Sequence, residues 1–254
     1  MTAVTLTRAR GVIRARLEDP DRRNPITALL LTNLHAALDA AEADPGCRVL
    51  VLCASGDDFC AGTDLSDGVP DTSDATGATG AATEELPYWR LLERLTRTPV
   101  VTIAVVDGRA SAGGVGLAAA CDLVIAGPDA RFRLTEALVG LVPAMALPFV
   151  ARRTGEQRAF TATLLAEDLD AAAALAAGLA DEATTDTEGA LRRTLVHLSR
   201  VDRDTTGALK EYRARLFPRD THLGLDATRT FLDRLADPAV HRLIGRLATP
   251  ERAA

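Results

Sequence analysis

Ser111-Ala112-Gly113-Gly114-Val115-Gly116-Leu117 sits between two apolar runs, Pro99-Val100-Val101-Thr102-Ile103-Ala104-Val105-Val106-Asp107-Gly108 before it and Cys121-Asp122-Leu123-Val124-Ile125-Ala126 after it. A β-branched run, a glycine cluster and an alanine-rich segment predict strand, turn, helix, strand. Glycines at such a junction let the backbone approach a ligand, and the first amides of a helix have no partner inside it. Those amides suit a phosphate or a developing oxyanion. Gly114-Val115-Gly116-Leu117-Ala118-Ala119 copies the G-x-G-x-x-A form of a dinucleotide fingerprint, with Glu136 downstream. A dinucleotide site, however, needs its acid at the end of the second strand, and here that strand ends near Ala126. The oxyanion reading finds a partner in Phe59-Cys60-Ala61-Gly62-Thr63-Asp64-Leu65, which follows a short apolar strand, Val49-Leu50-Val51-Leu52, and a turn, Ser55-Gly56-Asp57-Asp58. Two strand ends then each present a backbone amide to one carbonyl oxygen, and one such donor is worth about 3 kcal/mol in a transition state.

The rest of the chain is consistent with a cytoplasmic α/β enzyme. Of 254 residues, 47% are apolar, enough for a full core, and no apolar run is long enough to span a membrane. The net charge of −6, with both signs interspersed, argues against a nucleic-acid surface. The first residues lack the pattern of a signal peptide. Cys47, Cys53, Cys60 and Cys121 have no metal-ligand spacing, and Cys53 and Cys121 read as core thiols. Val4–Leu6 and Val12–Leu17 alternate as strands. Asn24-Pro25-Ile26-Thr27 opens a helix carrying Leu29, Leu30, Leu34, Ala37, Leu38 and Ala41 at helical spacing. Residues 66–83, rich in Gly, Ser, Thr, Asp and Ala, read as a mobile loop, and Leu86–Leu95 as an amphipathic helix. A short strand, Arg131–Leu134, precedes a mostly helical remainder. No internal repeat is evident.

Several motifs in order resemble the enoyl-CoA hydratase/isomerase (crotonase) superfamily. They are the two segments above, then Phe132-Arg133-Leu134-Thr135-Glu136, Gly140-Leu141-Val142-Pro143 and Ala177-Gly178-Leu179-Ala180-Asp181-Glu182. The resemblance implies a ClpP/crotonase-like spiral of ββα units over residues 1–190, and a C-terminal helical trimerisation region over 191–254. It implies trimers or hexamers, with residues 66–83 part of the acyl entrance. It further implies an acyl thioester substrate on CoA or a carrier protein, with neither metal nor other cofactor. The thioester oxygen is expected on the amides of Ala61 and Gly113. Gly62, Asp64, Gly114, Gly116 and Leu141 are the expected substrate-binding positions. Hydratases of the family use two glutamates. The second matches Glu136, but Gly116 stands where the first belongs. A lone Glu136 suits dehydration or movement of a proton between two carbons, and a partly buried carboxyl there should titrate high.

The run from Leu134 through Val142-Pro143-Ala144-Met145-Ala146-Leu147-Pro148 is similar to the crotonase-like enzymes of polyketide β-branching, which dehydrate a 3-hydroxy-3-methylglutaryl group on an acyl carrier protein. That substrate calls for an arginine to hold its free carboxylate. Arg133 is a candidate whose direction the strand pattern leaves open. The alternatives are an enoyl-CoA isomerase or atypical hydratase dependent on Glu136, and a non-catalytic thioester- or partner-binding member. Arg22 and Arg23 read either as phosphate contacts or as a solvated turn, and Lys210, Tyr212 and Arg213 as a solvated helix face. His222 and His241, in the tail, lack any partner spacing.

Overall fold

The computed structural model describes residues 3–64 and 84–248. Strands β1 (Val4–Ala9) and β2 (Val12–Leu17) lead into helix α1 (Ala28–Ala43), and then the pattern repeats. Strands β3 (Val49–Ala54) and β4 (Asp58–Cys60) precede α2 (Pro87–Arg97); β5 (Val101–Val106) and β6 (Arg109–Ser111) precede α3 (Gly113–Ala120). Strands β7 (Leu123–Ala126) and β8 (Arg131–Arg133) lead through a 3₁₀ turn, Glu136–Val139, to α4 (Leu147–Thr154) and α5 (Glu156–Leu165). The repetition is one of structure rather than of sequence. Beyond it come β9 (Leu169–Asp170), α6 (Ala171–Ala176), β10 (Glu182–Ala183), α7 (Thr187–Leu198), α8 (Arg203–Leu216), α9 (Leu223–Leu235) and α10 (Pro238–Ala248).

In each repeated unit from β3 onward the first strand joins one sheet and the second joins another. The larger sheet runs β1-β2-β3-β5-β7-β10 and the smaller β4-β6-β8-β9. From β2 to β10 the larger sheet is parallel, which explains the unbroken apolar runs of β3, β5 and β7: both faces are covered. Alternate residues divide between two cores. Leu50, Leu52, Ala104, Val106 and Val124 face the main core, while Val49, Val51, Ile103, Val105 and Ile125 pack with Ala190 and Leu191 of α7. Helix starts follow side-chain capping: Thr27 accepts from Leu30, Asp170 from Ala173, Asp186 from Gly189 and Asp202 from Thr205. Of the residues expected on the buried face of α1, Leu29 is exposed and the others are buried or nearly so. Cys53 is only half-buried, whereas Cys121 is fully buried.

Lys210 corrects the expectation of a solvated helix face. It lies on the inward side of α8, its ammonium donating to the Val100 carbonyl at 2.7 Å and pairing with Asp122. Arg213 also reaches Asp122, at 3.3 Å, and of the trio Tyr212 alone is exposed, at 54%. The tail joins the main core through Ala227, Phe231, Leu235 and Val240. Among the described residues no helix is long and apolar enough to cross a membrane. Residues 66–83, expected to form a mobile loop at the acyl entrance, lie outside the described residues.

Candidate active site

β4, β6 and β8 are adjacent parallel strands of the smaller sheet, with Asp58 paired to Arg109 and Arg109 to Arg131. Segments leaving their C-terminal ends therefore emerge side by side, the usual place for a ligand in such a sheet. From β4 comes Ala61–Asp64, from β6 Ala112–Gly113, and from β8 Leu134–Glu136. Ala61, Thr63, Ala112, Gly113, Thr135 and Glu136 line one cavity of about 270 Å³. Tyr88 of α2, Leu141, Met145, Ala146 and Phe231 of α9 complete much of its wall.

The backbone at this junction is held tightly. Gly62 takes φ +86°, and a Cβ there would meet Ala112 Cβ at 2.7 Å and the Gly113 nitrogen at 3.2 Å, so only glycine lets the two segments touch. Ile26 donates to the Gly62 carbonyl at 2.8 Å and forms an isolated parallel bridge with Thr63. Ala112 has φ +50° and ψ −122°, a sparsely populated conformation that favours glycine and costs another residue about 1–3 kcal/mol. It is pinned there by its own amide, which donates to the Arg133 carbonyl at 2.8 Å. Strain of this kind collects where a backbone group must be aimed. Gly113 follows as the first residue of α3, its amide without an acceptor among the described residues.

The first amide donor differs from the expectation. Ala61 lies on the wall, but its N–H donates to the Arg23 carbonyl at 3.0 Å, so it has no hydrogen left for a ligand. Two residues on, the Thr63 amide has no acceptor among the described residues, and Thr63 also lines the cavity. Thr63 and Gly113, in the two segments that meet at Gly62, thus both bring unspent amide hydrogens to this wall. The sequence hides this because an amide's partner lies in a distant segment, residue 23.

Glu136 is the one charged side chain on the wall among the described residues. It starts the 3₁₀ turn, its Oε2 buried without a hydrogen-bond partner there. Burial pushes its carboxyl up to about 7, against a smaller opposing effect of the backbone amides of Glu136 and Thr135. Leu141 is on the wall as expected. Gly62, Asp64, Gly114 and Gly116 are not: the glycines provide backbone clearance behind it, and Asp64 pairs with Arg22. Arg23 pairs with Asp58 at 3.0 Å. Arg133 turns away, donating to the Ala166 carbonyl at 2.8 Å. Neither His222 nor His241 reaches the cavity wall.

Gly116 explains the single acid. A Cβ at this position would lie 2.4 Å from the Tyr88 hydroxyl and 2.6 Å from Ala146 Cβ. No larger side chain fits. Tyr88 occupies the space, buried, its hydroxyl donating to the Gly113 carbonyl. Burial raises its phenol well above the ordinary range, with Cys60 and Glu136 adding to the effect, so it stays a neutral donor. Nothing in the amphipathic pattern of 86–95 separates this tyrosine from a core residue.

A family description, enoyl-CoA hydratase/isomerase, matches residues 7–226. A Thermus thermophilus protein provisionally named enoyl-CoA hydratase is 40% identical over 163 residues; the chain spans 64% of its length, just under two thirds, and 64% of this chain is covered. The Bacillaene synthase dehydratase PksH of Bacillus subtilis is 31% identical over 86% of this chain and 83% of its own. The crystal structure of pksH from Bacillus subtilis superposes with a TM-score of 0.88 at 28% identity, covering 97% of each chain. The crotonase fold anticipated from the motifs is the fold observed.

Proposed function

Because the chain belongs to the enoyl-CoA hydratase/isomerase family, we propose that this enzyme interconverts a β-hydroxyacyl thioester and its enoyl thioester plus water, with Glu136 as sole acid–base residue. The thioester carbonyl lies on the amides of Thr63 and Gly113. Glu136, ionised, takes the α-proton, and the resulting enolate is held by the two amides. The same carboxyl then gives that proton to the departing β-hydroxyl. Water leaves, the double bond forms, and Glu136 returns to its starting ionisation. One carboxyl suffices because the proton taken is the proton returned. The observation that carries this reading is a wall that combines one carboxyl, pushed by burial to about 7, with unspent amides, and leaves no room at Gly116 for a second acid.

The likeness to PksH supports a carrier-protein thioester in polyketide assembly, and the first acyl group to test is 3-hydroxy-3-methylglutaryl. A specific observation favours a second reading, a neutral acyl chain. The described wall holds no arginine or lysine, and residues 65–83 contain none in sequence, so a free carboxylate finds no partner from either. On such a substrate the same Glu136 could also shuttle a proton between Cα and Cγ, as an isomerase. Trimeric assembly is part of the proposal, supported by exposed Leu209 and Leu216 on α8, Phe217 just after it, and Phe160, Leu164 and Leu165 on α5.

Mass spectrometry decides between these. Carrier protein loaded with 3-hydroxy-3-methylglutarate and, separately, with 3-hydroxybutyrate is incubated with native protein and with Glu136→Gln. Loss of one water from either substrate, absent in the variant, supports the reaction; the preferred substrate fixes the acyl class. Water loss that survives in the variant overturns the role of Glu136.

A further inference from the structure

A larger cavity, of about 660 Å³, lies between α2, α4, α8 and the segment leading to α9, and its wall shares no residue with the acyl site. Six cationic side chains face it: Arg97, Arg152, Arg153, Lys210, Arg213 and Arg219. Four have carboxylate partners. Arg97 pairs with Glu93, Arg153 with Asp181, and both Lys210 and Arg213 with Asp122. Arg152 and Arg219 have no carboxylate partner among the described residues, although both are largely withdrawn from water.

Each of these guanidiniums is fixed on one side and carries an unpartnered nitrogen on the other. Arg152 Nη2 closes the C-terminal end of α3, donating to the carbonyls of Ala119 at 2.7 Å and Cys121 at 3.1 Å. Arg219 lies 4.5 Å over the Phe149 ring and reaches Thr96 Oγ1 at 3.5 Å with Nη2. Nη1 of both is buried and without a partner among the described residues. Withdrawing a charge from water without an ion-paired counter-charge is expensive, and here, among the described residues, only the more distant Asp122 and Glu93 offset it. Burial, with Arg213, Arg153 and Arg219 nearby, lowers the Arg152 guanidinium to about 10 against the smaller opposing effect of Asp122. Planar guanidinium forks pair preferentially with two oxygens of one anion.

We propose that this cavity is a binding site for a small oxyanion, a phosphate or carboxylate group held by the guanidiniums of Arg152 and Arg219, whose Nη1 donors have no partner among the described residues. The apolar part of the wall, Pro148, Ala214, Phe217 and Leu223, leaves room for an organic body attached to that group.

The test is calorimetric titration of the full-length protein with inorganic phosphate and, separately, with acetate, at ionic strength fixed with chloride so that general screening is constant. Saturable heat at one site per chain is expected, and the stronger of the two probes identifies the oxyanion class. Arg219→Met keeps packing against Phe149 and removes the fork; affinity should fall by at least about tenfold, the worth of a charge-assisted pair. Arg219→Lys, which keeps the charge alone, should fall between. Circular dichroism verifies folding of both variants. Absence of saturable heat with either probe, or an affinity unchanged in Arg219→Met, overturns the proposal. Sedimentation run alongside adds one more refuting outcome: an oligomer that binds neither probe, while a dissociated form binds, means that carboxylates of a second copy fill the site.

Discussion

Glu136→Gln should inactivate the enzyme and stabilise it above neutral pH. The folded protein holds this carboxyl at about 7 rather than 4.5, and burial is the cause. The folded state therefore binds the proton more tightly than the unfolded chain. Stability falls as pH rises from about 4.5 to about 7 and is level above that window. Each tenfold change in acidity is worth about 1.4 kcal/mol, so full ionisation of the folded state costs at most about 3 kcal/mol. Glu136 as a whole keeps some contact with solvent, so the expected penalty is about 1–3 kcal/mol. Glutamine has the same shape and no charge to bury. Urea unfolding at pH 8.5 should show the variant more stable by that amount. At pH 5, where Glu136 is protonated in the folded protein, the difference should shrink below about 1 kcal/mol. A difference that does not change between the two pH values would refute the buried-carboxyl argument, as would a variant less stable at pH 8.5.

Other outcomes follow from the same contacts. The kcat/KM of the native enzyme should rise through a single ionisation near pH 7, because the free enzyme needs Glu136 ionised to take the α-proton; a flat profile from pH 5.5 to 8.5 counts against it. Gly116→Glu should fail to restore a two-acid site and should destabilise by about 2 kcal/mol or more, since its Cβ meets Tyr88 and Ala146; urea midpoints of purified variant and native protein measure this. Tyr88→Phe removes the donor to the Gly113 carbonyl and should cost about 1–2 kcal/mol of stability and lower kcat more than it changes KM; unchanged values for both mean the hydroxyl is passive. Lys210→Met leaves the half-buried Asp122 with Arg213 as its remaining ion-pair partner and should cost about 2–3 kcal/mol, read by thermal or urea unfolding.

Local chemistry made much of this protein legible from its sequence. The apolar runs at 49–52, 101–106 and 123–126 specify buried parallel strands because each must satisfy two covered faces. The cluster at 111–117 specifies a strand-to-helix junction because glycine alone permits the close approaches found at Gly114 and Gly116. Glu136 was visible as a carboxyl in an apolar setting at the right point in a series of motifs. Partnerships across the chain were not visible. Ala61 and Thr63 are near neighbours with equivalent amides, and only the fold brings the Arg23 carbonyl to the first and leaves the second open. Lys210 belongs to a helix whose composition reads as solvated, yet folding seats it on Asp122. Tyr88 fills the space beside Gly116 although twenty-eight positions separate them in the chain. Hydrophobic period and backbone permissiveness are properties of neighbouring residues, so the sequence determined the elements and the junctions of this protein by itself. Which donor is spent, which charge is matched and which space is filled depend on groups far apart in the chain, and those only the tertiary structure decided.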